Sequence, residues 1–103
     1  MAILTAFREV RHIPDFIYAM FPGEPELEDG VFYVVDDSPY VEFNCPCGCG
    51  KVVELPTKKH QPDFDGWDFR EKDGKVTLAP SVLSSGFACK SHYFIRENRV
   101  EGV

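Results

Sequence analysis

The chain has 103 residues, 44% hydrophobic and 14% aromatic, which supports a single domain over residues 1–103 near the small end of what can pack its own core. No stretch approaches the roughly 18 apolar residues of a membrane span, which argues against a membrane protein. Seventeen acidic against eleven basic residues give a net charge of −6, which disfavours nucleic acid as a partner because such binding rests on Lys and Arg neutralising phosphates.

The chain starts Met1-Ala2-Ile3-Leu4-Thr5, followed within a few residues by Arg8 and Glu9. That stretch has no signal-peptide core, so a cytoplasmic location is expected. Residues 2–10 mix apolar and polar side chains and suit an edge strand. Ile13, Phe16, Ile17, Met20 and Phe21 recur at helical spacing, with Pro14 fitted to a first turn and Pro22-Gly23 to a stop, which predicts one short N-terminal helix facing the core. Residues 24–30 are acidic, contain a proline and read as an exposed loop.

From there the character is β. Val31-Phe32-Tyr33-Val34-Val35 is a short apolar strand closed by the turn Asp36-Asp37-Ser38-Pro39. Residues 40–43 lead into Cys45-Pro46-Cys47-Gly48-Cys49-Gly50, and residues 51–55 lead out. A strand, a glycine-rich turn with thiols and a returning strand form a zinc-knuckle arrangement. Residues 56–66 are polar and read as a loop. Residues 67–71 and 75–78 flank Asp73-Gly74, a strong hairpin signal. Residues 80–87 read as a small-residue loop containing Ser81, Ser84 and Ser85, and residues 92–96 form a last strand turning at Glu97-Asn98 toward Arg99-Val100. The expected fold is mostly β, a small α+β domain of antiparallel strands and hairpins with one N-terminal helix, stapled by a metal.

All four cysteines fall in two places, the triplet at Cys45, Cys47 and Cys49, and Cys89 within Cys89-Lys90-Ser91-His92. Disulfide scaffolds scatter their cysteines, so clustering without an export signal points to metal. Zinc takes four thiolate or imidazole ligands tetrahedrally. Two ligands on a turn fix one edge, and Cys89 with His92 can close the other. Five candidates thus compete for four places: Cys45, Cys47, Cys49, Cys89 and His92. The competing readings are a Cys45–Cys47 redox pair and a buried histidine among inert thiols. A thiolate-rich shell blunts the Lewis acidity of the ion, which favours a structural zinc over a catalytic one. The staple also suits a small domain, because metal-binding free energy becomes folding free energy.

A serine needs a base and an oxyanion site to become a nucleophile. Ser91 sits between two candidate ligands, and Ser81 follows Pro80 beyond the residue 75–78 strand. By spacing alone, Ser81 reads as a turn or capping serine. No base is locatable from the sequence: His12 and His60 sit in no recognisable motif, and the carboxylates are too many to sort.

Taken in order, Cys45-Pro46-Cys47-Gly48-Cys49-Gly50-Lys51-Val52-Val53, Trp67, Val76-Thr77-Leu78-Ala79-Pro80-Ser81-Val82 and Cys89-Lys90-Ser91-His92-Tyr93-Phe94-Ile95 resemble a small bacterial family catalogued as domain of unknown function six-five-two-seven. The resemblance covers roughly residues 31 to 100, and its specificity lies in the ordered set. Members occur beside bacterial ubiquitin-activating and ubiquitin-conjugating homologues and ubiquitin-like proteins, and the family is associated with a peptidase activity that works through a serine. The resemblance implies Ser81 as nucleophile, with Ser91 second, beside Zn2+ held by the cysteines and His92. It also implies a ubiquitin-like protein or its conjugating enzymes as partner, with an extended tail entering the site. Many relatives carry a histidine before the first cysteine, where this chain has Phe43-Asn44, and a Gly-Asn-Trp run where this chain has Val82-Leu83-Ser84-Ser85. The leading expectation is a zinc-containing peptidase or deconjugase of a ubiquitin-like tail. The alternatives are a non-catalytic zinc-ribbon-like interaction module and a metallochaperone using the cysteine triplet.

Overall fold

Runs of apolar and alternating side chains form eight strands in two sheets among the described residues. The computed structural model describes residues 5–14, 27–49, 51–59, 63, 65–83 and 92–102. Strands β1 (Glu9–Ile13), β2 (Val31–Val35), β3 (Tyr40–Asn44) and β4 (Val52–Pro56) form the first sheet in the order β1-β2-β3-β4. Strands β5 (Asp68–Lys72), β6 (Lys75–Leu83), β7 (His92–Arg96) and β8 (Arg99–Gly102) form the second in chain order.

The expected α+β class is corrected to all-β, since no helix occurs among the described residues. Ile13, expected to open a helix, instead ends β1 and pairs with Val35. Its side chain is buried against Leu27, Val31, Tyr33 and Val35, so a strand already uses the apolar position that the helical spacing claimed. The rest of that expected helix, Phe16, Ile17, Met20 and Phe21, lies outside the described residues. The pairing is also not wholly antiparallel, because β1 runs parallel to β2 at the sheet edge. The strands read at residues 31–35, 40–43, 51–55 and 92–96 are present to within a residue or so at their ends.

Two tight turns carry the second sheet. Asp73 and Gly74 have φ of 53° and 74°, and Glu97 and Asn98 have 49° and 65°. Paired left-handed residues give a two-residue hairpin turn whose twist matches the flanking strands. Asn98 ties the two turns together: its side chain accepts from the Val76 amide at 2.7 Å, and its own amide donates to the Val76 carbonyl at 2.9 Å.

The sheets face each other across one apolar layer. Phe7, Phe32, Val34, Val41, Phe43, Val53 and Leu55 from the first side meet Val76, Leu78, Val82, Tyr93 and Ile95 from the second. Phe7 packs edge-on against both Phe32 and Phe43, with ring centroids 5.4 and 5.3 Å away. Polar links close the sandwich at its rims. The Phe7 amide donates to the Asn98 carbonyl at 2.7 Å, and the Trp67 amide donates to the Pro56 carbonyl at 2.9 Å. His12 of β1 bridges Asp36 at 2.7 Å and Glu71 of β5 at 3.0 Å. The Glu71 and then the Asp36 hydrogen bonds raise the His12 pKa above its ordinary value.

On the outer side of the first sheet, Glu42 of β3 is 1% exposed and lies opposite Glu54 of β4. Burial, and then the hydrogen bond to Glu54, push the Glu42 carboxyl up to about 7. In the unfolded chain that group ionises near 4.5. The folded state therefore holds Glu42 neutral where the unfolded state is charged, and stability falls as pH rises from the lower value through the higher. Glu42→Gln keeps the shape and removes the titration. Urea melts should show the variant more stable than the parent by about 2 kcal/mol at pH 8 and about equal to it at pH 4.5. A variant less stable than the parent at pH 8 would contradict this reading.

Candidate functional site

The long strand β6 is not regular. Leu78 pairs with Ile95 and Val82 pairs with Tyr93, so β6 advances four residues while β7 advances two. Ala79, Pro80 and Ser81 together oppose Phe94. Proline has no amide to give to the ladder and is tolerated in a sheet mainly at edges and bulges. Leu78 and Val82 stay buried on either side of the bulge, while Ala79 and Pro80 are exposed and Ser81 is half-buried. The loop expected over residues 80–87 is therefore strand as far as Leu83, and its remainder lies outside the described residues.

After the bulge the alternation resumes. Val82 and Tyr93 face the core, so Ser81, Leu83 and His92 face out. His92 pairs with Leu83, which makes Ser81 its diagonal neighbour on the same face, within reach of a long side chain. The Ser81 Oγ lies 2.7 Å from His92 Nε2. With the ring proton on Nδ1, the hydroxyl donates to Nε2, the geometry in which an imidazole can take up a serine proton.

Ser81 is also held from behind. The Trp67 indole Nε1–H donates to the Ser81 carbonyl at 3.3 Å. Trp67 itself is fixed between the sheets: its amide bonds the Pro56 carbonyl, and its carbonyl accepts from the Lys58 amide at 2.9 Å. The preceding Gly66 permits this approach, because a Cβ there would meet the Pro56 carbonyl oxygen at 2.6 Å. Beside the pair, Leu83 is 54% exposed, an apolar side chain left in water next to a hydroxyl and an imidazole.

The cysteine triplet forms the turn between β3 and β4. Gly48 has φ of 84°, and its amide donates to the Cys45 carbonyl at 3.0 Å. The turn brings the Cys45, Cys47 and Cys49 sulfurs within 4.8 Å of one another, with Cys45 and Cys47 3.5 Å apart. Two sulfurs on one tetrahedral zinc lie about 3.8 Å apart, given a Zn–S distance of about 2.3 Å, so three thiols so placed can hold a metal ion. Cys45 is buried, Cys47 and Cys49 are half-buried, and all three belong to the same apolar cluster as Val82 and Tyr93.

Of the residues singled out in the sequence, then, the structure joins Cys45, Cys47 and Cys49 in one group and Ser81 with His92 in another. His92 is not part of the sulfur group among the described residues. Cys89 and Ser91 lie outside the described residues. Sequence reasoning took His92 only as a ligand candidate and missed its contact with Ser81. The available signal was strand alternation, since an exposed His before a buried Tyr in β7 must face the same side as the outward residues of β6.

A serine hydroxyl bonded to an imidazole on the rim of a rigid β-sandwich is the arrangement on which serine-based hydrolases rely. The chain belongs to the family of bacterial ubiquitination-like system serine proteases (BubE), whose model matches residues 20–103. The resemblance read from the ordered motifs is thereby borne out. No curated protein and no solved structure matches the chain.

Trp67→Phe removes one hydrogen-bond donor to the Ser81 backbone and keeps an aromatic ring at that position. The rate at which a fluorophosphonate probe labels Ser81 should fall about fivefold, the equivalent of one hydrogen bond of roughly 1 kcal/mol. The melting temperature should move by only a few degrees, and unchanged labelling would show that the indole does not position the serine.

Proposed function

We propose that this chain is a serine peptidase that cleaves at the C-terminal tail of a ubiquitin-like protein, with Ser81 as nucleophile and His92 as general base. The observation that carries the reading is the 2.7 Å contact between Ser81 Oγ and His92 Nε2. The family's place in a ubiquitination-like system supports the class of substrate. As Ser81 Oγ attacks the scissile carbonyl carbon, its proton passes to Nε2. Collapse of the tetrahedral adduct breaks the C–N bond, and His92 returns that proton to the leaving amine. Water, deprotonated by the same imidazole, then attacks the ester on Ser81; the C–Oγ bond breaks as His92 returns the proton to Oγ, and the tail leaves as a carboxylate. Leu83 offers the tail an apolar contact beside the bond to be cut.

In this scheme Cys45, Cys47 and Cys49 together with Cys89 would hold a zinc ion, and His92 is the candidate left over. The ring cannot do both tasks. A metal on Nδ1 would leave the proton on Nε2, which would then donate to Ser81 instead of accepting from it. When bound, the ion supplies a cross-link. It would fasten the β6–β7 connection, which carries Cys89, to the β3–β4 turn and hold β6 and β7 in register.

Ser81→Ala should lower turnover of a ubiquitin-like precursor by at least about a thousandfold with unchanged circular dichroism, His92→Gln should do the same, and Ser91→Ala should retain activity. Full activity of the Ser81 variant would end the assignment of the nucleophile. A parent protein that binds the precursor without turnover would instead favour an interaction module.

For the metal, elemental analysis should find about one zinc per chain, and chelation should lower the melting temperature by ~10 °C or more. Cys47→Ser should melt near the chelated parent. Identical melting before and after verified zinc removal would sink the cross-link.

A further inference from the structure

The outward face of the second sheet carries charge of the opposite sign to the chain as a whole. Arg70 and Lys72 of β5, Lys75 of β6, Arg96 of β7 and Arg99 of β8 all lie on it, five of the eleven basic residues of a chain with net charge −6. The two acids that the strands themselves place on that face are already engaged. Asp68 meets Lys58 at 3.4 Å, and Glu101 meets Arg96 at 2.9 Å and Arg99 at 3.5 Å. Arg70, Lys72 and Lys75 have no ion-pair partner among the described residues. Lys72 and Lys75 are moreover direct cross-strand partners, and like charges so placed repel. An isolated sheet gains nothing from that arrangement.

Two shallow depressions run along the same face. One is lined by Arg70, Lys72, Lys75 and Thr77 together with Asp73 and Glu97 of the two turns, and the next by Lys58, Asp68, Phe69, Arg70, Thr77 and Ala79. They share Arg70 and Thr77, and the second ends at Ala79, the first residue of the bulge that presents Ser81. From Lys75 to Ser81 the strand covers at most about 20 Å, the reach of roughly six extended residues. Basic side chains thus lie about four to six residues from the hydroxyl on the same face, from Arg70 opposite Thr77 to Lys75 opposite Lys72.

We infer that this face docks an acidic segment of the protein substrate, about six residues before the bond presented to Ser81, with Arg70, Lys72 and Lys75 as its recognition elements. The inference deepens the peptidase reading by naming the substrate's chemistry, and it rests on that reading for the bond being cut. The acidic stretch relieves the Lys72–Lys75 repulsion, and the attraction raises the encounter rate and fixes the register in which the tail reaches the serine.

The test separates docking from catalysis by using the Ser81→Ala chain. Fluorescein-labelled twelve-residue peptides carrying Glu-Glu-Glu or Gln-Gln-Gln near the N-terminus are titrated by anisotropy at low and moderate salt. The acidic peptide should bind about tenfold or more tightly than its neutral counterpart, and added salt should erase the difference. Arg70→Gln, Lys72→Gln and Lys75→Gln combined should also erase it, with unchanged circular dichroism. Equal binding of the two peptides, or an undiminished preference in the triple variant, would overturn the inference. So would a single-stranded oligonucleotide of similar length that binds more tightly than the acidic peptide, which would assign the face to nucleic acid. None of these outcomes depends on Ser81 being the nucleophile, which turnover by the parent chain and its Ser81 variant decides separately.

Discussion

The register shift in β6 is the constraint from which the site follows. Leu78 and Val82 must both enter the core, where they are 2% and 1% exposed, and their partners Ile95 and Tyr93 stand only two residues apart on β7. A regular strand would spend its intervening inward position on residue 80. Pro80 is exposed instead, and the surplus chain bulges outward. Burying two aliphatic side chains is worth several kcal/mol relative to leaving them in water, so the core fixes the bulge and the bulge fixes Ser81. The hydroxyl is positioned by packing on the opposite side of the sheet, which makes its placement as rigid as the core itself. Local strand bulges commonly re-aim a side chain in this way.

The rest of the sandwich serves to keep β6 where it is. Trp67 is the point at which the two sheets meet beside the site: its backbone bonds the end of β4 through Pro56 and the following Lys58, and its indole bonds the bulge. At the other rim, Asn98 and the Phe7 amide join the β7–β8 turn to the start of the chain. His12 adds a charged link between β1 and β5 through Glu71. A sheet pinned at several rims cannot slide in register without breaking each link, and a one-residue slip would turn Ser81 inward.

Much of this was legible in the sequence, and the parts that were not share a cause. Asp73-Gly74 and Asn98 announced their turns because Asp, Gly and Asn suit a left-handed backbone, and that requirement is local. The strand at residues 31–35 announced itself as an apolar β-branched run. Ile13 misled because an apolar residue at helical spacing also fits the end of a strand, and only its pairing with Val35 decides between them. The β6 bulge was invisible for the same reason: Ala79-Pro80-Ser81 looks like the end of a strand until the pairing to β7 is known. The cysteine triplet was legible as a group because a five-residue span cannot separate its sulfurs far. The meeting of Ser81 with His92 depends on a pairing across eleven residues, of which local alternation gives only the shared face and not the register.

That difference also explains why the Cys89-Lys90-Ser91-His92 motif invited a single role. A two-residue gap places both ends of such a motif near one ion if the segment turns, but His92 opens β7, where successive side chains face opposite sides. Tyr93 takes the inner side and joins the cluster that contains the three cysteines, so His92 takes the outer side with Ser81. In the proposed scheme the motif would divide its roles, with its cysteine given to the metal and its histidine to the hydroxyl. A thiolate-bound zinc is a poor Lewis acid but a stiff cross-link. Stiffness is what a serine–imidazole pair needs from its surroundings, since an error of about 1 Å in placement can cost a hundredfold in rate. The ion and the serine then need not touch for one to depend on the other.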